Sequence, residues 1–303
     1  MPLANVKSIA LQGLDGEIVH IEVDIADGLP GYILLGLPDA ALMESKERVR
    51  SAIQNSGSSW PNKRVTVSLS PAWLHKSGSG FDLPIAVALL MAQGSVPNVE
   101  FENSIFLGEL ALDGSIKPIR GVLPALVAAK RKGVDLAILP AGNVSEAEEV
   151  DGIKNIAVTH LREVIEYLVD GVTPEITLHN SSRSRREHPD LSEVVGQRSA
   201  KHALELAAIG GHHLLLIGPP GTGKTMLAER LPSILPPLSA EDALEVAAIH
   251  SVAGTFNSSD MKDRIPPYIA PHHTTTATAM VGGGAQIIKP GACSIAHRGG
   301  ALY

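Results

Sequence analysis

One cysteine, Cys293, stands in a chain of 303 residues. A lone thiol excludes an internal disulfide and any multi-cysteine zinc site, and it suits a reducing compartment. Aromatic residues make up only 3%, which leaves few platforms for stacking bases. The N-terminus shows no basic-then-apolar signal pattern. The longest apolar run, 83–91, is far too short to cross a bilayer. These gaps predict a cytoplasmic protein with no membrane partner. The net charge is −7, so the chain as a whole has no basic signature for nucleic acid, although a ring could still line a central channel with cations. What remains is a chain 44% hydrophobic, long enough for about two domains with a core in each.

The most informative segment is Gly218-Pro219-Pro220-Gly221-Thr222-Gly223-Lys224-Thr225. It fits the phosphate-binding P-loop pattern G-x-x-x-x-G-K-[ST]. Phosphate oxygens need many donors in a small space. Glycines at 221 and 223 let the backbone curl its N–H groups around an anion. Lys224 is expected to reach the β- and γ-phosphates, and Thr225 to offer its hydroxyl to Mg²⁺, which keeps most of its waters. The context fits as well: the apolar run Leu214-Leu215-Leu216-Ile217 reads as a buried strand, and the residues from Met226 read as a helix start. ATP and Mg²⁺ are the predicted cofactors.

Composition shifts divide the chain. Residues 173–189 read as a linker with the polar run Asn180-Ser181-Ser182-Arg183-Ser184-Arg185-Arg186, in which a solvated tether is a better reading than a phosphate-binding patch. Before it, residues 1–172 alternate strands and helices. Strands are expected at 19–25, 32–35, 64–69 and 136–139, and helices at 39–54, 84–92 and 122–130. After it, residues 190–303 begin a second domain with a helix at 199–209. Ser239-Ala240-Glu241-Asp242 has the look of a helix cap. Asp260 and Asp263 fall in what reads as a polar loop.

A P-loop enzyme also needs a second strand ending in an acid that holds Mg²⁺, with a following acid to orient water. No apolar run after Thr225 ends in Asp-Glu. Residues 1–303 are therefore expected to bind ATP and to hydrolyse it poorly.

Two further sets of residues carry a family resemblance. Asp190-Leu191-Ser192-Glu193-Val194-Val195-Gly196-Gln197 resembles the segment that precedes the P-loop in AAA+ ATPases and packs by the adenine. The blocks Tyr268-Ile269-Ala270-Pro271-His272-His273-Thr274-Thr275-Thr276, Val281-Gly282-Gly283-Gly284, Pro290-Gly291 and Ser294-Ile295-Ala296-His297-Arg298-Gly299-Gly300 resemble the magnesium-chelatase-like branch of that superfamily, of the ComM/YifB type. The resemblance implies an ATP-driven hexameric ring that acts on DNA as a branch-migration helicase. Its nucleotide contacts would include Val194, Val195 and Gln197 beside the loop 218–225. It also implies that a Walker B strand, an arginine finger and a lid follow in longer members. Alternatives are a subunit that drives metal chelation and a non-motor nucleotide-binding module.

The same resemblance makes the first domain similar to the Lon protease catalytic domain, a ribosomal S5-like α+β fold, ahead of a truncated P-loop α/β domain. Lys76-Ser77-Gly78-Ser79-Gly80-Phe81-Asp82 stands where Lon-type proteases carry their nucleophile. Matched through Gly108-Glu109-Leu110 and Pro118-Ile119-Arg120-Gly121, Gly80 takes the place of the serine and Leu123 that of its lysine partner. A Ser-Lys protease needs both groups, so no peptidase is expected. Among twelve histidines, the adjacent pairs His212-His213 and His272-His273 lack the i, i+4 spacing of a helical metal site. Their rings are expected to point apart, and no metal site is predicted.

Overall fold

The computed structural model describes residues 3–97, 103–175, 189–284 and 288–303. The chain divides into two compact units, Met1–His179 and Asn180–Tyr303. The basic run 180–186, expected to be a solvated tether, lies outside the described residues.

The first unit is built on a four-stranded sheet in the order β1-β2-β4-β3. Strand β1 (Leu3–Gln12) and β2 (Asp15–Ala26) form an antiparallel hairpin in register from Leu3↔Asp24 to Gln12↔Asp15. Strand β4 (Arg64–Ser70) pairs antiparallel with β2, and β3 (Gly31–Leu35) runs parallel to β4. A parallel neighbour needs a crossover, and helix Ser45–Asn55 supplies it. Every second residue of β4, and of β2 from Val19 onward, is apolar and buried: Val19, Ile21, Val23, Ile25, Val65, Val67 and Leu69. Period-two alternation with one buried face is what makes these segments strands.

Helix Asp82–Gln93 packs on β1 and β2 and is buried from Asp82 to Ala92. It is apolar all round, as a helix at the centre of a domain must be. A second sheet of three parallel strands, Ser104–Phe106, Leu136–Pro140 and Lys154–Val158, is tied to β1 where Ser8 Oγ donates to the Phe106 carbonyl at 2.9 Å. Helices Val122–Arg131 and Leu161–Asp170 complete this unit. Strands β1, Ser104–Phe106 and Lys154–Val158 were not legible in the sequence. The main buried face of β1 mixes small residues with apolar ones (Ala4, Val6, Ser8, Ala10), and pairing is what defines it.

The second unit carries helices Arg198–Gly210, Lys224–Ala228 and Ala240–Ala253. Ser239 caps the last of these by accepting the Asp242 N–H at 3.1 Å, in line with the expected cap. Tyr268–Ile269 pairs parallel with Gly300–Ala301, and Gly282–Gly283 pairs antiparallel with Lys289–Pro290. Leu191, Val194, Leu204 and Leu227 form a small core against which Leu216 packs.

The run 214–217 is not a buried strand: Leu214 is 41% exposed, Leu215 80% and Ile217 86%. Among the described residues none pairs with it, and an apolar run becomes a strand only when a neighbour takes its backbone hydrogen bonds. Asp260 is not in a loop either. It lies in the short helix Ser258–Lys262, which Asn257 caps by accepting the Ser259 N–H at 3.2 Å.

Candidate functional site

The P-loop turns sharply at two glycines, Gly221 (φ 81°) and Gly223 (φ 82°). Both sit in the left-handed region, where a side chain would be strained. Helix Lys224–Ala228 starts directly after them. Across Gly221, Thr222, Gly223, Lys224 and Thr225, no backbone N–H donates to an acceptor among the described residues. Five consecutive free donors are the raw material of an anion cradle. Thr222 Oγ1 donates to the Pro219 carbonyl at 2.9 Å and closes the turn. Lys224 Nζ folds over the loop and donates to the carbonyls of Gly218 and Pro219, each at 2.9 Å. The ammonium therefore sits beside the cradle that the amides form. Gly218, Pro219, Pro220 and Thr225 are exposed at the rim.

The segment before the P-loop divides its residues between two tasks. Val194 is 3% exposed and belongs to the core with Leu204 and Leu227, whereas Val195 is 95% exposed. Of the two valines, only Val195 presents its side chain to solvent. Gln197 reaches the loop itself: its Nε2 donates to the Thr222 carbonyl at 3.2 Å. Arg230 clamps the same segment to the P-loop helix. Its Nε donates to the Asp190 carbonyl (3.1 Å), Nη1 to the Met226 carbonyl (3.0 Å) and Nη2 to Glu193 (3.1 Å). Arg230 was missed in the sequence, because no short spacing links it to residue 190. A cavity of about 90 Å³ in this unit is lined by residues that include Leu238, Val246, Phe256, Met261 and Tyr268, none of them in the loop 218–225.

The two histidine rings at 272 and 273 do not point apart. Their centroids lie 4.0 Å from each other, and His272 Nδ1 bonds the Thr274 hydroxyl at 2.8 Å. Among the described residues, no group of three or more His, Cys, Asp or Glu side chains gathers in a metal-holding arrangement.

In the first unit, a Cβ on Gly80 would lie 3.2 Å from Ile119 Cδ1, and Leu123 is fully buried. Ile119 crowds position 80, while the Leu123 N–H donates to the buried Glu146 carboxylate at 3.1 Å. Ser79 donates to the Glu109 carboxylate, and Lys76, also buried, donates to the Pro71 carbonyl. Burial pushes the Lys76 ammonium below its usual pKa. Asp39 accepts the N–H groups of Leu42 (2.8 Å) and Gly78 (2.9 Å) and so anchors the 76–82 segment.

Comparison with known proteins gives the family. Residues 190–303 match the family described as magnesium chelatase, subunit ChlI, and residues 21–143 match the family described as subunit ChlI of Mg-chelatase. An uncharacterized protein of Mycobacterium tuberculosis is 51% identical over 301 residues, covering 99% of this chain and 59% of that protein. The competence protein ComM of Haemophilus influenzae is 40% identical over 305 residues, with 99% of this chain and 59% of ComM covered. A Lon protease of Trichlorobacter lovleyi is 25% identical over 172 residues, 54% of this chain and 21% of that protease. The chain thus spans about three-fifths of the length of the first two relatives. No helix among the described residues is long and apolar enough to cross a membrane. A P-loop set in an α/β unit behind a Lon-like unit, with both family matches, makes this chain a member of the magnesium-chelatase-like ComM/YifB family.

Proposed function

We propose that residues 218–225 bind the triphosphate of ATP. The observation that carries this reading is the row of backbone N–H groups from Gly221 to Thr225 without acceptors among the described residues. Lys224 stands over that row and supplies the positive charge, exchanging its carbonyl partners for β- and γ-phosphate oxygens. The Thr225 hydroxyl, in the first turn of helix Lys224–Ala228, would hold Mg²⁺ through the nucleotide. Bound Mg²⁺ would neutralise phosphate charge. Val195 lies on the preceding segment, where the base is received, and Gln197 ties that segment to the loop.

In this reading residues 1–172 are a Lon-like domain without peptidase activity. Residues 173–189 link it to 190–303, the nucleotide-binding domain. The acids after Thr225 sit on helices or caps. Glu241, Asp242 and Glu245 belong to helix Ala240–Ala253, and Asp260 to helix Ser258–Lys262. None ends a strand facing the loop, so residues 1–303 bind ATP and turn it over slowly. Likeness to the competence protein ComM supports a ring, hexameric in its assembled form, that uses ATP to process DNA in the cytoplasm.

The test is a titration of the purified chain with a fluorescent ATP analogue and Mg²⁺. Saturable binding that Lys224→Ala abolishes is the expected result. Absence of saturable binding overturns the proposal. Retention of a porphyrin in place of forked DNA would instead favour a chelatase-type subunit.

A further inference from the structure

We infer that Gln197 is a positioning residue that sets the orientation of a phosphate-facing amide in the P-loop, and is not a contact to the base. The inference rests on the reading of 218–225 as a triphosphate site. Gln197 has φ 51°, a left-handed conformation on a residue that is not glycine. Such a conformation persists where the surroundings over-determine it. Its main chain is committed to the helix it precedes: the carbonyl accepts the Lys201 N–H at 2.9 Å. Its side chain leaves that helix and crosses to the loop, where Nε2 donates to the Thr222 carbonyl at 3.2 Å. Among the described residues this is the donor that the Thr222 carbonyl has.

The consequence follows from peptide geometry. The 222–223 peptide is planar and trans, so the Thr222 C=O and the Gly223 N–H point in opposite directions. A carbonyl held on Gln197 turns the Gly223 N–H to the far side. Thr222 is already fixed through its hydroxyl on Pro219, and Gly223 has no side chain to resist rotation of the peptide. Without the Gln197 amide, that peptide can flip, which would present a carbonyl oxygen to the phosphate in place of a donor. One side chain thereby converts a glycine-rich turn with two orientations into a cradle with one, at no cost in binding energy when the anion arrives.

The experiment compares Mg-ATP with Mg-tripolyphosphate, which carries the same phosphates and no base, by calorimetric titration of the 303-residue chain. Gln197→Met keeps length and neutrality and removes the donor. Gln197→Gly removes the donor and also relieves the left-handed backbone. Both variants should bind both ligands about fivefold to tenfold more weakly, the worth of one hydrogen bond. The two ligands should lose affinity by the same factor, and the melting temperature of the Met variant should stay within about 2 °C of the parent. Loss confined to ATP, with tripolyphosphate bound as before, would overturn the inference and put Gln197 on the nucleoside. Unchanged affinity for both ligands would overturn it too. If the parent chain itself binds neither ligand and Lys224→Ala changes nothing, the triphosphate reading fails, and this inference with it.

Discussion

Arg48 grips Asp82 at two points, Nε to Oδ2 at 2.6 Å and Nη2 to Oδ1 at 3.0 Å, joining the crossover helix to the central helix across 34 residues of sequence. The Asp82 carboxylate is fully buried and also accepts the Leu110 N–H at 3.3 Å. Burial raises its pKa to about 6, against the pull of Arg48. A carboxyl whose folded pKa is raised favours the native state below its unfolded value, and that contribution fades as pH climbs through the folded value. The window therefore runs from about pH 4 to about pH 6, and the contribution lost across it is about 3 kcal/mol. Urea midpoints measured across this window should fall with rising pH more steeply for the parent than for Asp82→Asn. Equal slopes would show that the carboxyl does not titrate there. Arg48→Ala, which leaves the buried carboxylate without its partner, should cost about 3 kcal/mol at pH 7.

Gly36 sits against the strand beside it. Its φ is 108°, and a Cβ there would come within 2.0 Å of the Leu69 carbonyl oxygen. Backbone cannot move aside as a flexible side chain can. Gly36→Ala should therefore cost more than about 3 kcal/mol, read as a lowered midpoint or as loss of soluble protein. A cost under about 1 kcal/mol would mean that β3 and β4 are spaced more widely than described.

The Lon-like unit should show no acyl-enzyme chemistry. A serine-directed fluorophosphonate should leave the chain unlabelled, and a peptide substrate should stay intact. Labelling of Ser77 or Ser79 would contradict this, because it requires a base that activates a hydroxyl now bonded to Glu109 or open to solvent. Restoring the dyad by Gly80→Ser with Leu123→Lys should not restore turnover. The new serine meets Ile119, and the new lysine enters a fully buried position that Leu123 now fills.

ATP turnover by residues 1–303 should stay below about 1 s⁻¹ even at saturating Mg-ATP. Faster turnover that Lys224→Ala abolishes would mean that an acid on helix Ala240–Ala253 or Ser258–Lys262 reaches the γ-phosphate.

Local pattern carried much of the fold. Strands β2 and β4 announced themselves by strict alternation, helix Asp82–Gln93 by continuous apolarity, and helix Ala240–Ala253 by its Ser239 cap, because each signal lies within one element. The P-loop was equally plain, since its glycines and lysine are contiguous. Strand β1 and the pairing of Tyr268–Ile269 with Gly300–Ala301 were not, because a strand exists through a partner that can lie far along the chain.

The residues alone determined that a run of amides from Gly221 to Thr225 would follow a tight turn beside a lysine, for that depends on backbone freedom and covalent order. Only the tertiary structure decided that Val194 belongs to the core while Val195 faces water, that Leu215 and Ile217 stay uncovered, and that Gln197, twenty-five residues from Thr222, holds its carbonyl. Burial and hydrogen bonding between distant segments depend on which surfaces meet, and spacing along the chain does not encode that meeting.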